Sequence, residues 1–285
     1  MIITGFTDEA GEDLETQIRV ARELEWDYLS ARTFGSGNIH DIEDREFEAV
    51  CRRLSEESIK VAEFGSLIAN WSKSIHSPWD LTAQEIDRCI DRMHRLDVGY
   101  VRIMSYAQEP WGSDQLEKER FRRVAEIHRI FASEGLEALH ENCMNYGGFS
   151  SDHTLRLLDA VPDMRLVFDT GNPVTQRDRS KPPEYPWQNS LKFYHDVKHA
   201  IAHIHIKDAK REEGKIEYTF PGEGDAYVRE ILWDMKLSGY GGFIAIEPHM
   251  AKVFHQINYN QYDGDRAALF IEYGEKMKTL IQDLL

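Results

Sequence analysis

Ile201-Ala202-His203-Ile204-His205-Ile206-Lys207-Asp208 alternates branched apolar residues with two imidazoles and an amine. A period of two is that of a β-strand, so His203, His205 and Lys207 share one face and Ile204 and Ile206 the other. The apolar face must pack on something. The polar face carries groups that no core tolerates without partners. A strand that is apolar outward and histidine-rich inward fits a barrel whose lumen opens into a metal or catalytic site. A solvated strand of an antiparallel sheet is the competing arrangement.

Outward from this stretch, short apolar runs alternate with longer helical patterns. Strands are expected at residues 2–6, 28–31, 59–67, 100–104, 136–141, 165–169, 201–208 and 243–247. Helix-spaced stripes run between them, as in Leu14, Ile18, Ala21 and Leu24, or Ile86, Ile90, Met93 and Leu96. Thr82 is the expected cap of the third helix, Ser113-Asp114 opens the fourth and Gly135 stops it. Residues 68–79 and 170–186 read as loops, the latter with four prolines after Asn172. A helix is expected over 187–199, a Gly-rich excursion over 212–224, and a last helix over 265–285. Alternation of this kind means a parallel sheet, and eight units close it into a single-domain (β/α)8 barrel, an α/β fold over 1–285. A doubly wound open sheet should carry a Gly-rich phosphate turn after its first strand, and Gly5-Phe6-Thr7-Asp8-Glu9 is not one.

Composition agrees. The 285 residues are close to the roughly 250 typical of such barrels. With 34 basic and 50 acidic residues the formal charge is −16, which disfavours nucleic-acid backbone and anionic membranes as partners. Cys51, Cys89 and Cys143 are odd in number, widely spaced and without a CxxC, which points to a reducing compartment rather than a disulfide framework or thiolate zinc site. Residues 1–6 lack a basic region followed by an apolar run, and no apolar run is long enough to span a bilayer, so a cytoplasmic protein is expected.

In a barrel the strand ends carry the chemistry. Here they present Glu141, Asp169, His205 and Glu247, one metal-capable side chain on each of strands five to eight. Alternation turns Val167 with Asp169, and Ala245 with Glu247, inward. Three carboxylates and an imidazole make an oxygen-rich site suited to Mn2+ or Mg2+, tolerant of Co2+ and, less well, Zn2+. Each residue alone would be unremarkable, because strand-end carboxylates often serve as caps or ion-pair partners. Four in register are hard to explain as stabilisation.

The sequence resembles the xylose isomerase-like TIM barrels, the sugar phosphate isomerase/epimerase group that includes ketose 3-epimerases, inosose isomerases and hydroxypyruvate isomerases. The matching segments are Gly5-Phe6-Thr7-Asp8-Glu9, His140-Glu141-Asn142, Phe168-Asp169-Thr170-Gly171-Asn172, His203 to Asp208, Pro221-Gly222-Glu223-Gly224, and Gly239-Tyr240-Gly241-Gly242 running into Ile246-Glu247. The resemblance implies one divalent metal held by Glu141, Asp169, His205 and Glu247, with Glu141 and Glu247 also shuttling protons. It implies a small-molecule sugar as substrate, Arg211 as a substrate-binding arginine, and His203 lining the lumen beside the ligand histidine. Such barrels often form homodimers or homotetramers, and nothing in this sequence marks an interface. One departure stands out. Ketose epimerases usually place a substrate-contacting histidine three residues after the strand-six aspartate, where this chain has Asn172.

The chemistry follows from these parts. A sugar carbonyl and its neighbouring hydroxyl can chelate a metal acting as Lewis acid, which stabilises the enediolate left when a carboxylate removes the α-proton. A second carboxylate returns the proton. Return to the opposite face is epimerisation and return to the next carbon is isomerisation, whereas loss of a β leaving group is lyase, dehydratase or glycoside-cleaving chemistry. A nuclease of the endonuclease IV group would need further ligands and a basic groove, and a non-catalytic sugar-binding barrel would not need both glutamates. Trp71, His76 and Trp79 are candidates to close over a sugar, as is Trp111, although packed loops without a ligand role fit as well. Lys207 faces inward, to bind a substrate oxygen or pair with Glu247. Cys143 lies near the site, with a plain structural role expected. Glu9, just past strand one, is expected to cap a helix in preference to supporting the site or contacting substrate, and His94 and His128 are expected to be surface residues.

Overall fold

The computed structural model describes residues 1–251, 262 and 264–284. Its centre is an eight-stranded parallel sheet: β1 (Ile2–Gly5), β2 (Tyr28–Ala31), β3 (Lys60–Gly65), β4 (Tyr100–Ile103), β5 (Glu137–Glu141), β6 (Leu166–Asp169), β7 (Ile201–Ile206) and β8 (Phe243–Ile246). The order around the sheet is β1-β8-β7-β6-β5-β4-β3-β2. The single parallel bridge between Phe6 and Ser30 brings β1 back to β2. Helices α1 (Leu14–Glu23), α2 (Asp44–Glu56), α3 (Trp79–Leu96), α4 (Glu117–Ser133), α5 (Ser151–Ala160), α6 (Ser190–Val197), α7 (Val228–Leu237) and α8 (Arg266–Asp283) follow the strands in turn. This is the TIM barrel expected from the alternation of elements.

The helices start where short polar side chains can satisfy free backbone N–H groups. Asp13 accepts from Thr16 N at 2.9 Å, Asn189 from Lys192 N at 2.8 Å and Asp265 from Ala267 N at 2.9 Å. Phe168, Ile204, Ile206, Ile244 and Ile246 pack outward in the main core between sheet and helices. Leu139, Val167 and Ala202 form a separate small cluster, with Leu139 and Val167 each two residues before a strand-end acid.

Several boundaries differ from the expectation. Helix α3 begins at Trp79, after Pro78, so Thr82 does not cap it; Thr82 is buried, with its hydroxyl 3.1 Å from that of Tyr106. Asp114 accepts from Leu116 N at 2.9 Å and makes a local turn, which delays α4 to Glu117. The 170–186 loop contains one helical turn, Asn172–Thr175, because Asp169 Oδ1 accepts from both Gly171 N and Asn172 N. The expected 187–199 helix is α6 followed by a 3-10 turn, Lys198–Ala200. The 212–224 excursion includes the second strand of an antiparallel hairpin, Asp208–Glu212 with Lys215–Thr219, turned by Glu213 and Gly214 at φ 48° and 80°. A second hairpin, Thr33–Phe34 with Gly37–Asn38, was not expected. Residue 285 of the expected last helix lies outside the described residues.

Candidate active site

Glu141 ends β5, Asp169 ends β6, His205 lies one residue before the end of β7, and Glu247 follows β8. His205 pairs with Asp169 on one side and with Ala245 on the other, which places the three strand ends side by side. One ligand atom from each of the four side chains lies within 4.8 Å of the others, and all four are buried. Asn142 fixes the height of Asp169: its Oδ1 accepts from Asp169 N at 2.7 Å and its Nδ2 donates to Asp169 O at 2.9 Å.

Three buried cations stand among these acids. Lys207 Nζ lies 3.1 Å from Asp169 Oδ2 and 3.0 Å from Glu247 Oε2. Neither of those oxygens receives a well-directed hydrogen bond. Arg102 Nη1 donates to Glu141 Oε2 at 2.8 Å. Arg32 Nη1 donates to Glu247 Oε1 at 2.5 Å, and its other edge makes two 2.9 Å bonds to Asp8. Glu9 does not cap a helix. It sits in a buried 3-10 turn, 3.3 Å from Arg32 Nη2, and accepts from His249 N at 2.7 Å.

Crowded, buried carboxylates resist ionisation unless a cation answers them. Burial pushes Asp169 up to about 7, with Glu247 and Glu141 adding to the rise and Lys207 opposing it. Burial also raises Glu9 to about 8 against the pull of Arg32. At Glu141 the effect of burial is outweighed by Arg102 and His205, which hold it down at about 2. His205 is driven the opposite way to its burial, up to about 10, by Glu63 and Glu141.

A family model described as a xylose isomerase-like TIM barrel matches residues 18–269. The chain belongs to this family. No curated protein matches it by sequence. Among solved structures, this xylose isomerase-like barrel is similar to the IolI protein with a bound zinc atom, at 14% identity and TM-score 0.72, over 100% of this chain and 99% of that one. D-allulose 3-epimerase from Methylomonas sp. in complex with D-allulose gives 15% identity and TM-score 0.68, over 99% and 96%. The probable 3-DHS dehydratase AsbF from Bacillus anthracis gives 15% and 0.70, over 98% of each chain. At such identities the likeness to these structures is one of fold.

Beside the three acids and the histidine, the xylose isomerase-like barrel opens into a cavity of about 340 Å3. Glu141, Glu247, Lys207 and Asn172 line it together with Cys143. Asn172 Oδ1 accepts from Lys207 Nζ at 3.3 Å, while its buried Nδ2 has no hydrogen-bond partner. Trp71 also lines the cavity. Trp79 instead belongs to α3, and His76 stands at the surface with its side chain 65% exposed, 3.4 Å from Glu109. Trp111 is 52% exposed and stacks on Tyr185 and Arg179, away from the cavity lining. Arg211 is also outside that lining: it donates to Val174 O at 2.8 Å and lies over the Trp187 ring. His203 is fully buried and does not line the cavity; its Nε2 meets Glu63 at 2.7 Å. Lys207 pairs with Glu247, one of the two arrangements expected of it, and also lines the cavity.

Sequence reasoning missed Arg32, Arg102, Glu63 and His249. The signal for two of them was present, since Arg102 and Glu63 are charged residues amid the buried, apolar stretches of strands Tyr100–Ile103 and Lys60–Gly65. The alternation argument applied to His203 and His205 would have found them.

Proposed function

We propose that the protein is a divalent-metal-dependent sugar isomerase or epimerase, acting on a ketose or cyclitol by proton transfer next to a carbonyl. The observation that carries this is the buried set Glu141, Asp169, His205 and Glu247, one ligand atom each within 4.8 Å, two of which, Glu141 and Glu247, line a cavity. The set fits a cation. Burial with its two acidic neighbours holds the Asp169 carboxyl up at about 7, and two of the set's oxygens, Asp169 Oδ2 and Glu247 Oε2, lack directed donors. An O3N donor set suits Mn2+ or Mg2+. A cavity near 340 Å3 has room for one monosaccharide.

Bound there, the ion supplies Lewis acidity to the substrate's carbonyl and hydroxyl oxygens. The remaining work falls to the protein. Glu141 and Glu247 reach the cavity from β5 and from the end of β8, so one can take the α-proton and the other can return it. Arg102 keeps Glu141 low enough to act as a base, and Arg32 with Lys207 does the same for Glu247. Asn172 Nδ2 is a free donor for a substrate hydroxyl. Burial excludes water, which would otherwise screen these charges.

The test is proton NMR in D2O with Mn2+-activated, then Mg2+-exchanged, protein across ketoses, inososes and keto-glycosides. Deuterium next to a carbonyl with a new sugar isomer is expected, and its loss in Glu247→Gln and Glu141→Gln. Failure of every substrate to exchange would overturn the reading. A second reading, a lyase or dehydratase using the same proton abstraction, draws on Asn172, which is a poor acid for guiding a proton back to carbon. It is distinguished by deuterium incorporation accompanied by loss of water or an aglycone.

A further inference from the structure

His205 belongs to two clusters at once. One is the cavity set with Glu141, Asp169 and Glu247, and the other is Glu63, His203 and His205, entirely buried. The two clusters meet different ring atoms. His205 Nδ1 lies 3.2 Å from Glu141 Oε1, within the first set. His205 Nε2 lies 3.0 and 3.2 Å from the two oxygens of Glu63. Glu63 also faces His203 Nε2 at 2.7 Å and accepts from Ser30 Oγ at 3.0 Å. One carboxylate from β3 is therefore surrounded by three side-chain groups from β2 and β7. An ionised carboxylate only accepts, so the Nε2 atoms of His203 and His205 that face Glu63 must carry protons, whereas the proton on His205 Nδ1 faces Glu141, itself one of the proposed ligands, and is the one an ion would replace.

We infer that Glu63 is a positioning residue for the metal centre: it holds His205 with the proton on Nε2 and so presents Nδ1, and not Nε2, to the ion. This rests on the reading above that His205 is a metal ligand. A carboxylate behind a ligating imidazole fixes its tautomer and ring orientation. The sharing of Glu63 explains why the chain carries two histidines at period two. His203 occupies one oxygen of Glu63 and restrains its rotamer, which leaves the carboxylate aimed at His205. His203 therefore stays outside the set of Glu141, Asp169, His205 and Glu247 although it shares a strand face with His205.

The experiment uses the full chain and has two readouts that do not depend on activity. In Zn2+-loaded wild-type protein labelled with 15N-histidine, two-bond proton–nitrogen spectra are expected to show His205 protonated at Nε2, with Nδ1 bearing no proton. A proton on Nδ1 would overturn the inference without a variant. The second readout is Mn2+ affinity by equilibrium titration, for wild type, Glu63→Gln, Glu63→Ala and His203→Asn. Loss of the carboxylate is expected to weaken binding by about 10–100-fold. His203→Asn also removes a buried hydrogen bond to Glu63 but leaves the Glu63–His205 contact, so its affinity is expected to stay within a few-fold of wild type. Equal loss in His203→Asn and Glu63→Gln would mean a general loosening of the lumen and would overturn the inference, as would unchanged affinity in both Glu63 variants. If wild type binds no divalent ion, the functional reading fails as well. If wild type binds and Glu63→Ala binds equally, only this inference fails.

Discussion

The charge state of single residues governs how the site takes up an ion. With no ion bound, Glu63 and Glu141 hold His205 up at about 10, so its imidazole is a cation at neutral pH. Burial holds Asp169 up at about 7, so it is about half protonated there. Ligands bind metal only after losing their protons. Uptake of Mn2+ at pH 7 should therefore release between about one and two protons, and affinity should rise as pH increases from 7 towards 10. Calorimetry in buffers of different ionisation enthalpy measures the number directly, and zero release would contradict this account of the site. The same scale explains what sequence could show. Glu141, Asp169, His205 and Glu247 stand at strand ends, where position alone marks them. Glu63 and His203 are 140 residues apart, and nothing local to either announces the partner. Arg32 follows a strand, yet its three acidic partners come from the ends of β1 and β8.

At the scale of elements, the loops after the strands are built as tightly as the strands. Residues 142–150 turn tightly after β5, with Cys143 lining the cavity, and two glycines make the turn possible. A Cβ on Gly148 would lie 1.7 Å from Cys143 O, and one on Gly147 would lie 2.2 Å from the His140 ring. Gly148→Ala should therefore force the backbone apart and destabilise the fold by at least the ~1–3 kcal/mol typical of overpacking. Gly99→Ala, with no atom within 4 Å of its Cβ, should be neutral by comparison. Urea midpoints of the two variants test this, and equal midpoints would contradict it. Asp208 plays the matching part on the other side. Its two oxygens accept backbone N–H groups from Ala209, Gly222, Gly224 and Ala226 at 2.9–3.0 Å. The Pro221-Gly222-Glu223-Gly224 segment was legible as a motif, and the structure gives its physical content: the loop is folded around one carboxylate. The short hairpins were not legible, because two to five residues give too little periodicity to read.

For the whole molecule, eight repeats of strand and helix were readable because each helix keeps a stripe against the sheet and each strand runs short and apolar. Acid stability is a property of the same whole. His140 and His153 are held down at about 4, chiefly by burial, against an ordinary value of 6.5. Between these values each of these two histidines binds a proton in the unfolded chain only, so each adds stability as pH rises across about 4 to 6.5 and loses it as pH falls, while Asp169 and Glu9, held protonated in the fold up to about 7 and 8, act in the opposite sense. Fully buried His140 alone contributes up to ~3 kcal/mol of the histidine effect. Urea unfolding at a series of pH values should show a less positive dependence of stability on pH in His140→Asn than in wild type, and an identical dependence would contradict the assignment. The closing seam has a further consequence. Only the Phe6–Ser30 bridge joins β1 to β2 in the ladder, and Thr4 Oγ1 adds one bond to Tyr28 O. Arg32 spans the same seam, gripping Asp8 and Glu9 on one bank and Glu247 beyond them. A barrel fastened this way should open first at its seam, and its fastener, Arg32, lines the cavity. Backbone amides at 28–31 should thus exchange with deuterated solvent sooner than those at 166–169, and occupancy of the cavity should be recorded there as slower exchange.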